Sequence, residues 1–224
     1  MNYQKQLEEI LTKIATEKSQ NVGSKKPTLL LHACCAPCSS YVIEYLAGIF
    51  DITIFYYNPN IHPKEEYDRR LEELKKFLKQ FPEAMQYDIK LTIDSYNPED
   101  YFAATNVRSE VELQKEPEKG ERCRRCYEFR MRRAFDFAQK NHFDWFTTTL
   151  SISPHKDSEK INTIGRELEA DRAPTDGRLL HSGTKFLPAD FKKKGGFLRS
   201  TQLSAEYGLW RQDYCGCVFS VRKE

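Results

Sequence analysis

The sequence predicts an α/β domain with a mainly parallel sheet, and three observations carry that expectation. Short runs of β-branched and aromatic residues alternate with longer stretches of helical apolar spacing, an order that builds parallel strands joined by crossover helices. The second of these runs closes on a turn signal, Asn58-Pro59-Asn60. The chain has 224 residues, 39% hydrophobic and 30% charged, enough for one substantial core with or without a smaller appendage.

Each element follows from its own pattern. Leu7, Ile10, Leu11 and Ile14 keep helical spacing, so the chain opens on an amphipathic helix, and Ser19 to Pro27 is a polar, Gly-containing linker. Residues 1–26 are thus expected to form an appendage docked on a main domain of residues 27–224. Thr28 to Leu31 reads as a buried strand. Ser39 or Ser40 is the expected N-cap of a helix through Tyr41, Val42, Tyr45 and Leu46 to about Ala47. Asp51 to Tyr57 is a second strand, and Tyr67, Leu71, Leu74 and Leu78 mark a long helix that stops before Pro82. A third strand fits Tyr87 to Ile93. From Asn97 to Gly120 the pattern weakens, leaving a short helix around Glu99 to Ala104.

Tyr127, Met131, Ala134, Phe135 and Ala138 then define a strong helix whose first turn contains Cys123 and Cys126. Trp145 to Leu150 is a further strand, and Ser158 to Glu169 a helix with Ile161, Ile164 and Leu168 inward. The remainder is expected to be loop-rich until a last helix near Ser204 to Trp210. Strands alternating with helices make this a Rossmann-like arrangement.

Composition narrows the setting. No stretch reads as a signal peptide or is long and apolar enough to span a bilayer, so a cytoplasmic protein with no membrane partner is expected. Structural disulfides are uncommon there, and seven cysteines, an odd number, point to metal ligands or redox groups. A net charge of +2 neither demands nor excludes nucleic acid. Two local clusters say more: Arg122, Arg124, Arg125, Arg130, Arg132 and Arg133 crowd one cysteine pair, and Lys192, Lys193 and Lys194 run together.

The cysteines fall into three groups. Cys34, Cys35 and Cys38 lie on the turn from the first strand into a helix, where thiolates facing a helix N-terminus have lowered pKa and bind soft metals. Cys123-Arg124-Arg125-Cys126 is a Cys-x-x-Cys pair, and it lacks the compact βαβ context of a thioredoxin motif. With Cys34 and Cys35 it supplies four thiolates, enough for a tetrahedral zinc site or an iron-sulfur cube. Cys215-Gly216-Cys217 can close into a small, strained and reducible ring, or offer two more metal ligands. Asn58 to Pro63 with Glu66, Tyr67 and Arg70, and Thr147 to Lys156, follow strands at the same sheet edge and are candidate walls. His62 and His155 within them read equally as catalytic or as hydrogen-bonded turn residues.

Taken in order, Cys34-Cys35-Ala36-Pro37-Cys38, Asn58-Pro59-Asn60-Ile61-His62-Pro63, Cys123-Arg124-Arg125-Cys126-Tyr127, Thr148-Thr149-Leu150 with Ser153-Pro154-His155-Lys156, and Phe191-Lys192-Lys193-Lys194-Gly195-Gly196 running on to Tyr214-Cys215-Gly216-Cys217 resemble the cobalamin-independent epoxyqueuosine reductases. The likeness runs from Thr28 to about Ser220. It implies a single Rossmann-like domain related to the nucleotide-alpha-hydrolase-like folds, with the N-terminal helix and a loop-rich C-terminal region added. It also implies reductive conversion of epoxyqueuosine to queuosine at the wobble position of tRNA. Cys34, Cys35, Cys123 and Cys126 match the positions that bind a 4Fe-4S cluster, and Cys215 with Cys217 matches a redox-active pair. Cys38 either binds an adjacent mononuclear iron, for which zinc can substitute, or completes the cluster.

Removing an epoxide oxygen to leave an alkene takes two electrons and two protons and releases water. No Gly-rich dinucleotide fingerprint is present, so electrons are expected from an external donor through metal and thiols. Tyr214, His155 and Asp157, in that order, are the candidate proton donors. Phosphates are expected on Lys192 to Lys194, Arg199 and part of the arginine group, and the modified base on Tyr57, Tyr127 or Trp210. Two other functions fit the same residues: a zinc-stabilised RNA-binding module without catalysis, and a thiol-disulfide reductase.

Overall fold

The computed structural model describes residues 1–21, 23–171 and 183–221. In chain order the elements are α1 (Tyr3–Gln20), β1 (Thr28–Ala33), α2 (Ala36–Leu46), β2 (Asp51–Tyr56), α3 (Lys64–Gln80), α4 (Pro82–Gln86) and β3 (Lys90–Ile93). They continue with α5 (Pro98–Thr105), α6 (Glu112–Lys115), α7 (Glu121–Lys140), β4 (Trp145–Thr148), α8 (Ser158–Ala170), β5 (Lys185–Phe186) and α9 (Gly196–Glu206). The five strands form one sheet in the order β3-β2-β1-β4-β5, with every neighbouring pair parallel. The α/β expectation holds, and the arrangement is consistent with a Rossmann-like domain.

Alternation along the strands gives each face its own core. Leu29, Leu31 and Ala33 of β1 and Ile52, Ile54 and Tyr56 of β2 pack with α1, α2, α3 and α9. Leu30 of β1 and Phe55 of β2 turn the other way, onto Tyr127, Met131 and Phe135 of α7 and Ile161, Ile164 and Leu168 of α8. Leu7, Leu11 and Ile14 place α1 within the first of these cores. No helix among the described residues is long and apolar enough to cross a membrane.

Several boundaries differ from expectation for identifiable reasons. The strand from Trp145 ends at Thr148, because the Thr148 hydroxyl accepts from the Leu150 N–H at 3.2 Å and turns the chain into a 3-10 helix, Thr149–Ile152. The last helix is Gly196–Glu206 rather than Ser204–Trp210. Gly195-Gly196 starts it: Gly195 sits at φ +79, and a Cβ on Gly196 would fall 2.0 Å from the Phe191 carbonyl oxygen and 2.5 Å from the Tyr41 ring. Gly208, at φ +60, follows its end. The short strand β5 lies in the stretch expected to be loop, and residues 172–182 of that stretch lie outside the described residues.

Gly165 of α8 meets the ring of Phe186 of β5, and a Cβ there would come within 2.3 Å of it. Gly165→Ala should lower stability by about 1–3 kcal/mol, the usual range for overpacking a filled core. Thermal unfolding by circular dichroism measures this, and an unchanged midpoint would contradict the packing described.

Candidate active site

Sheet order decides where the chemistry collects. From central β1 the chain builds outward through β2 to β3, then crosses back to β4 and on to β5. The crevice between the carboxyl ends of β1 and β4 is therefore the switch point, the usual ligand position in such sheets. Cys34 to Cys38 leave β1 there, and Thr149 to Lys156 leave β4.

The first cysteine group is built by the start of α2. Cys35, not Ser39 or Ser40, is the N-cap: its sulfur accepts from the Cys38 N–H at 3.4 Å, and Pro37 fills the first turn. Ser39 and Ser40 instead donate back to the carbonyls of Cys35 and Pro37, at 2.8 and 3.0 Å. A sulfur acceptor takes the place usually held by a hydroxyl, which is why the expected cap fell four or five residues late. The Cys34 and Cys35 sulfurs are 3.7 Å apart, and those of Cys34, Cys35 and Cys38 all lie within 4.8 Å of one another. Hydrogen bonds from Cys35 and Cys38 hold the Cys34 thiol well below its ordinary range, while burial and the Cys34 charge push Cys35 up to about 12. One thiolate, on Cys34, is thus shared by the group.

Behind them His32 is fully buried. Its Nε2 donates to the Tyr57 carbonyl at 3.2 Å, so Nδ1 is left to accept from the Thr148 hydroxyl at 2.8 Å. Burial lowers its pKa to about 3, so the ring is a neutral spacer between β1 and β4.

Two adjoining cavities cover the crevice. The larger, about 260 Å³, is lined by Cys34, Cys35, Cys38 and Cys215 with Arg70, Tyr214 and Phe197. The smaller is a narrow cleft lined by Cys123, Cys126, Cys215 and Cys217 with Tyr101 and Arg130. Glu118, His155, Lys156 and Cys215 border both. All seven cysteines, which are free, therefore line one continuous region of the molecule.

Buried positive charge surrounds these sulfurs. Arg122 and Arg130 are 1% and 2% exposed, their guanidinium groups have no carboxylate partner among the described residues, and each leaves its Nε unbonded. Arg130 donates to Asn58 Oδ1 at 2.5 Å; burial opposes its charge, but the sulfurs of Cys126 and Cys34 outweigh that and hold it charged. Burial likewise opposes Lys156, and the thiols of Cys215, Cys34 and Cys38 reverse the effect. Sulfurs facing buried cations are a soft donor set, and those cations would balance the charge the thiols take on when a metal displaces their protons, so the residues fit an iron-sulfur cluster on that ground.

The Cys215 segment is tied down by α3 and the loop before it. Arg70, 1% exposed, pairs with Glu66 at 2.6 Å and donates to the carbonyls of Tyr214 and Cys215, each at 3.2 Å. The Tyr214 hydroxyl donates to the His62 carbonyl at 2.6 Å while its ring lines the larger cavity. His155 is exposed, with Nδ1 3.8 Å from Glu118. Asp157 lines neither cavity; its carboxylate caps α8 by accepting from the N–H groups of Glu159 and Lys160.

The surface cations named for phosphate are largely paired. Lys192 bonds Asp190 and Ser158, Lys194 pairs with Glu8, and Arg199 with Glu44. Arg124 and Arg125 pair with Glu121, Arg132 with Glu128, and Arg133 with Asp94. Tyr57 and Tyr127 are buried at 3%, and Trp210 lies beneath Arg69, outside the cavity lining. Phe197 and Arg211, which sequence patterns did not single out, stand on the cavity wall instead, the guanidinium 5.4 Å from the ring centre.

The family model described as Epoxyqueuosine reductase QueH matches residues 29–223. A curated relative of that name from Streptococcus pyogenes serotype M1 is 39% identical over 201 residues, 90% of this chain and 73% of its own length. One from Staphylococcus epidermidis is 34% identical over 224 residues, covering 100% of this chain and 86% of the relative. One from Thermotoga maritima is 35% identical over 198 residues, 87% of this chain and 90% of the relative.

The Arg70–Glu66 pair yields a direct test. Arg70→Met strands a buried carboxylate and frees the Cys215 backbone, so unfolding in urea should show a loss of about 3–5 kcal/mol. A loss under 1 kcal/mol would mean that the pair is not shielded as described.

Proposed function

The chain belongs to the epoxyqueuosine reductase QueH family, and on that premise we propose that it removes the epoxide oxygen of epoxyqueuosine in the anticodon loop of tRNA, yielding queuosine and water. The observation that carries the reading is the convergence of seven thiols and three cations without carboxylate partners at the switch point of the sheet. A zinc-stabilised RNA module would need four of those thiols and gives no reason for an open cavity beside them.

In this reading Cys34, Cys35, Cys123 and Cys126 hold a 4Fe-4S cluster. Support comes from Arg130, whose charge is balanced by sulfurs of both groups. The close grouping of Cys38 with Cys34 and Cys35 supports an adjacent mononuclear iron there, with zinc as a substitute. When bound, these metals supply single electrons and a Lewis acid. Cys215 and Cys217 are the redox-active pair, recharged by an external donor. The polypeptide binds the base in the larger cavity against Phe197, screens it with Tyr214, and supplies protons from Tyr214 and His155. Asp157 sets the start of α8 and so the segment that presents His155 and Lys156. The protein works on tRNA in the cytoplasm.

The test is anaerobic reconstitution with iron and sulfide, then incubation with epoxyqueuosine-containing tRNA and a strong reductant, reading the nucleoside by mass. Queuosine is the expected product; none formed by a protein with its cluster confirmed would overturn the assignment. Cys126→Ala should lose the visible absorption of the cluster together with turnover, and retention of both would remove Cys126 from the ligand set.

Arg211 is exposed at the cavity mouth without a carboxylate partner among the described residues. Arg211→Ala should weaken tRNA binding and make the slope of log K against log salt shallower by about 0.7, one single-strand phosphate contact. An unchanged slope would remove Arg211 from the RNA surface.

A further inference from the structure

The two thiols of Cys215-Gly216-Cys217 are held in fixed and different surroundings. Arg70 grips the Cys215 carbonyl, and the His62 N–H donates to the Gly216 carbonyl at 2.8 Å. Gly216 sits at φ +99, and a Cβ there would lie 2.8 Å from the Ile61 side chain and 3.1 Å from Arg70 Nη1. The segment therefore cannot roll to exchange its sulfurs. Cys215 is half-buried on the wall of the larger, open cavity, with its sulfur 3.1 Å from the Ser220 hydroxyl. Cys217 is 5% exposed, is absent from that wall, and packs with Cys126 and Tyr101. The hydroxyl of Tyr101, a residue with no exposed surface, lies 2.9 Å from the Cys217 sulfur.

We propose, building on the redox-pair reading above, that the thiols have unequal roles: a dithiol reductant attacks the Cys215–Cys217 disulfide at Cys215, from the larger cavity, and Tyr101 is the positioning residue that receives the departing Cys217 sulfur. In the first step a donor thiolate bonds to the Cys215 sulfur, the Cys215–Cys217 bond breaks, and its electron pair leaves on Cys217. The Tyr101 hydroxyl donates a hydrogen bond to that sulfur as charge develops on it. In the second step the other donor thiol, having lost its proton to solvent, attacks the mixed disulfide and releases the Cys215 thiolate. The donor leaves as a disulfide and the pair is reduced by two electrons. Access sets the direction of attack, because thiol exchange requires approach along the disulfide axis and only Cys215 borders the larger cavity, Cys217 facing the narrow cleft.

The experiment uses the full chain, purified without oxygen, with peptide mass mapping as the readout. Wild-type protein is first equilibrated in oxidised and reduced dithiothreitol to establish the Cys215–Cys217 disulfide. Oxidised glutathione should then cap Cys215 in Cys217→Ser at least about tenfold faster than it caps Cys217 in Cys215→Ser. Tyr101→Phe should slow reduction of the wild-type disulfide by dithiothreitol about tenfold, or about 1.4 kcal/mol, while leaving the capping rate of Cys215 in a Cys217→Ser background unchanged. A merely structural Tyr101 would move both rates or neither, and either result overturns its role. Equal or reversed capping overturns the assignment of Cys215 while the redox pair stands. Failure of any disulfide to form in wild type removes the redox pair and this proposal with it.

Discussion

A guanidinium or ammonium taken out of water must face negative charge or lose its own. At the carboxyl end of this sheet the negative charge comes from sulfur. Arg130 reaches between the first and second cysteine groups, Lys156 between the first and third, and neither meets a carboxylate among the described residues. The pairing works in both directions: hydrogen bonds from neighbouring thiols, aided by the cations, hold Cys34 and Cys215 low, and the sulfurs in turn keep the cations charged. Sulfur is also the donor that soft metals select. The same electrostatic arrangement that makes these side chains compatible with the interior thus leaves soft donors facing the cavities.

Topology brings the partners together. β1 is paired to β2 from Thr28↔Asp51 to Ala33↔Tyr56 and to β4 from Leu29↔Trp145 to His32↔Thr148. With those registers fixed, three turns distant in sequence emerge at one rim. The helices then do separate work: α2 presents Cys38, α7 presents Cys123 and Cys126, and α3 reaches over with Arg70 to hold the segment carrying Cys215. A slip by one residue in either pairing would exchange the side chains of β1 between the two cores and shift the turns that carry the sulfurs.

How much was legible from sequence depended on distance along the chain. The cysteine groups, β1 and the wall segments were readable because each is a local pattern with a local consequence. The start of α2 was not, because a cysteine sulfur filled the place where a serine was the natural choice. Nor was α9, since two adjacent glycines read as loop until the close approach of Tyr41 and the Phe191 carbonyl explains them. Tyr101 lies in the weakly patterned stretch, 116 positions from the sulfur it touches. What the charge clusters could not show is pairing: composition counts cations, and only the fold tells which already have carboxylates beside them.

The dual duty of Cys35 reaches further than the sulfur itself. The Cys38 N–H points at the Cys35 sulfur, so negative charge on that sulfur is stabilised by the amide that starts the helix. The same amide opens α2, and α2 lies against α9, whose first turn carries Phe197. A change of charge on the Cys35 sulfur would therefore act first on the hydrogen bond that starts α2, one packed helix away from the aromatic ring on the cavity wall.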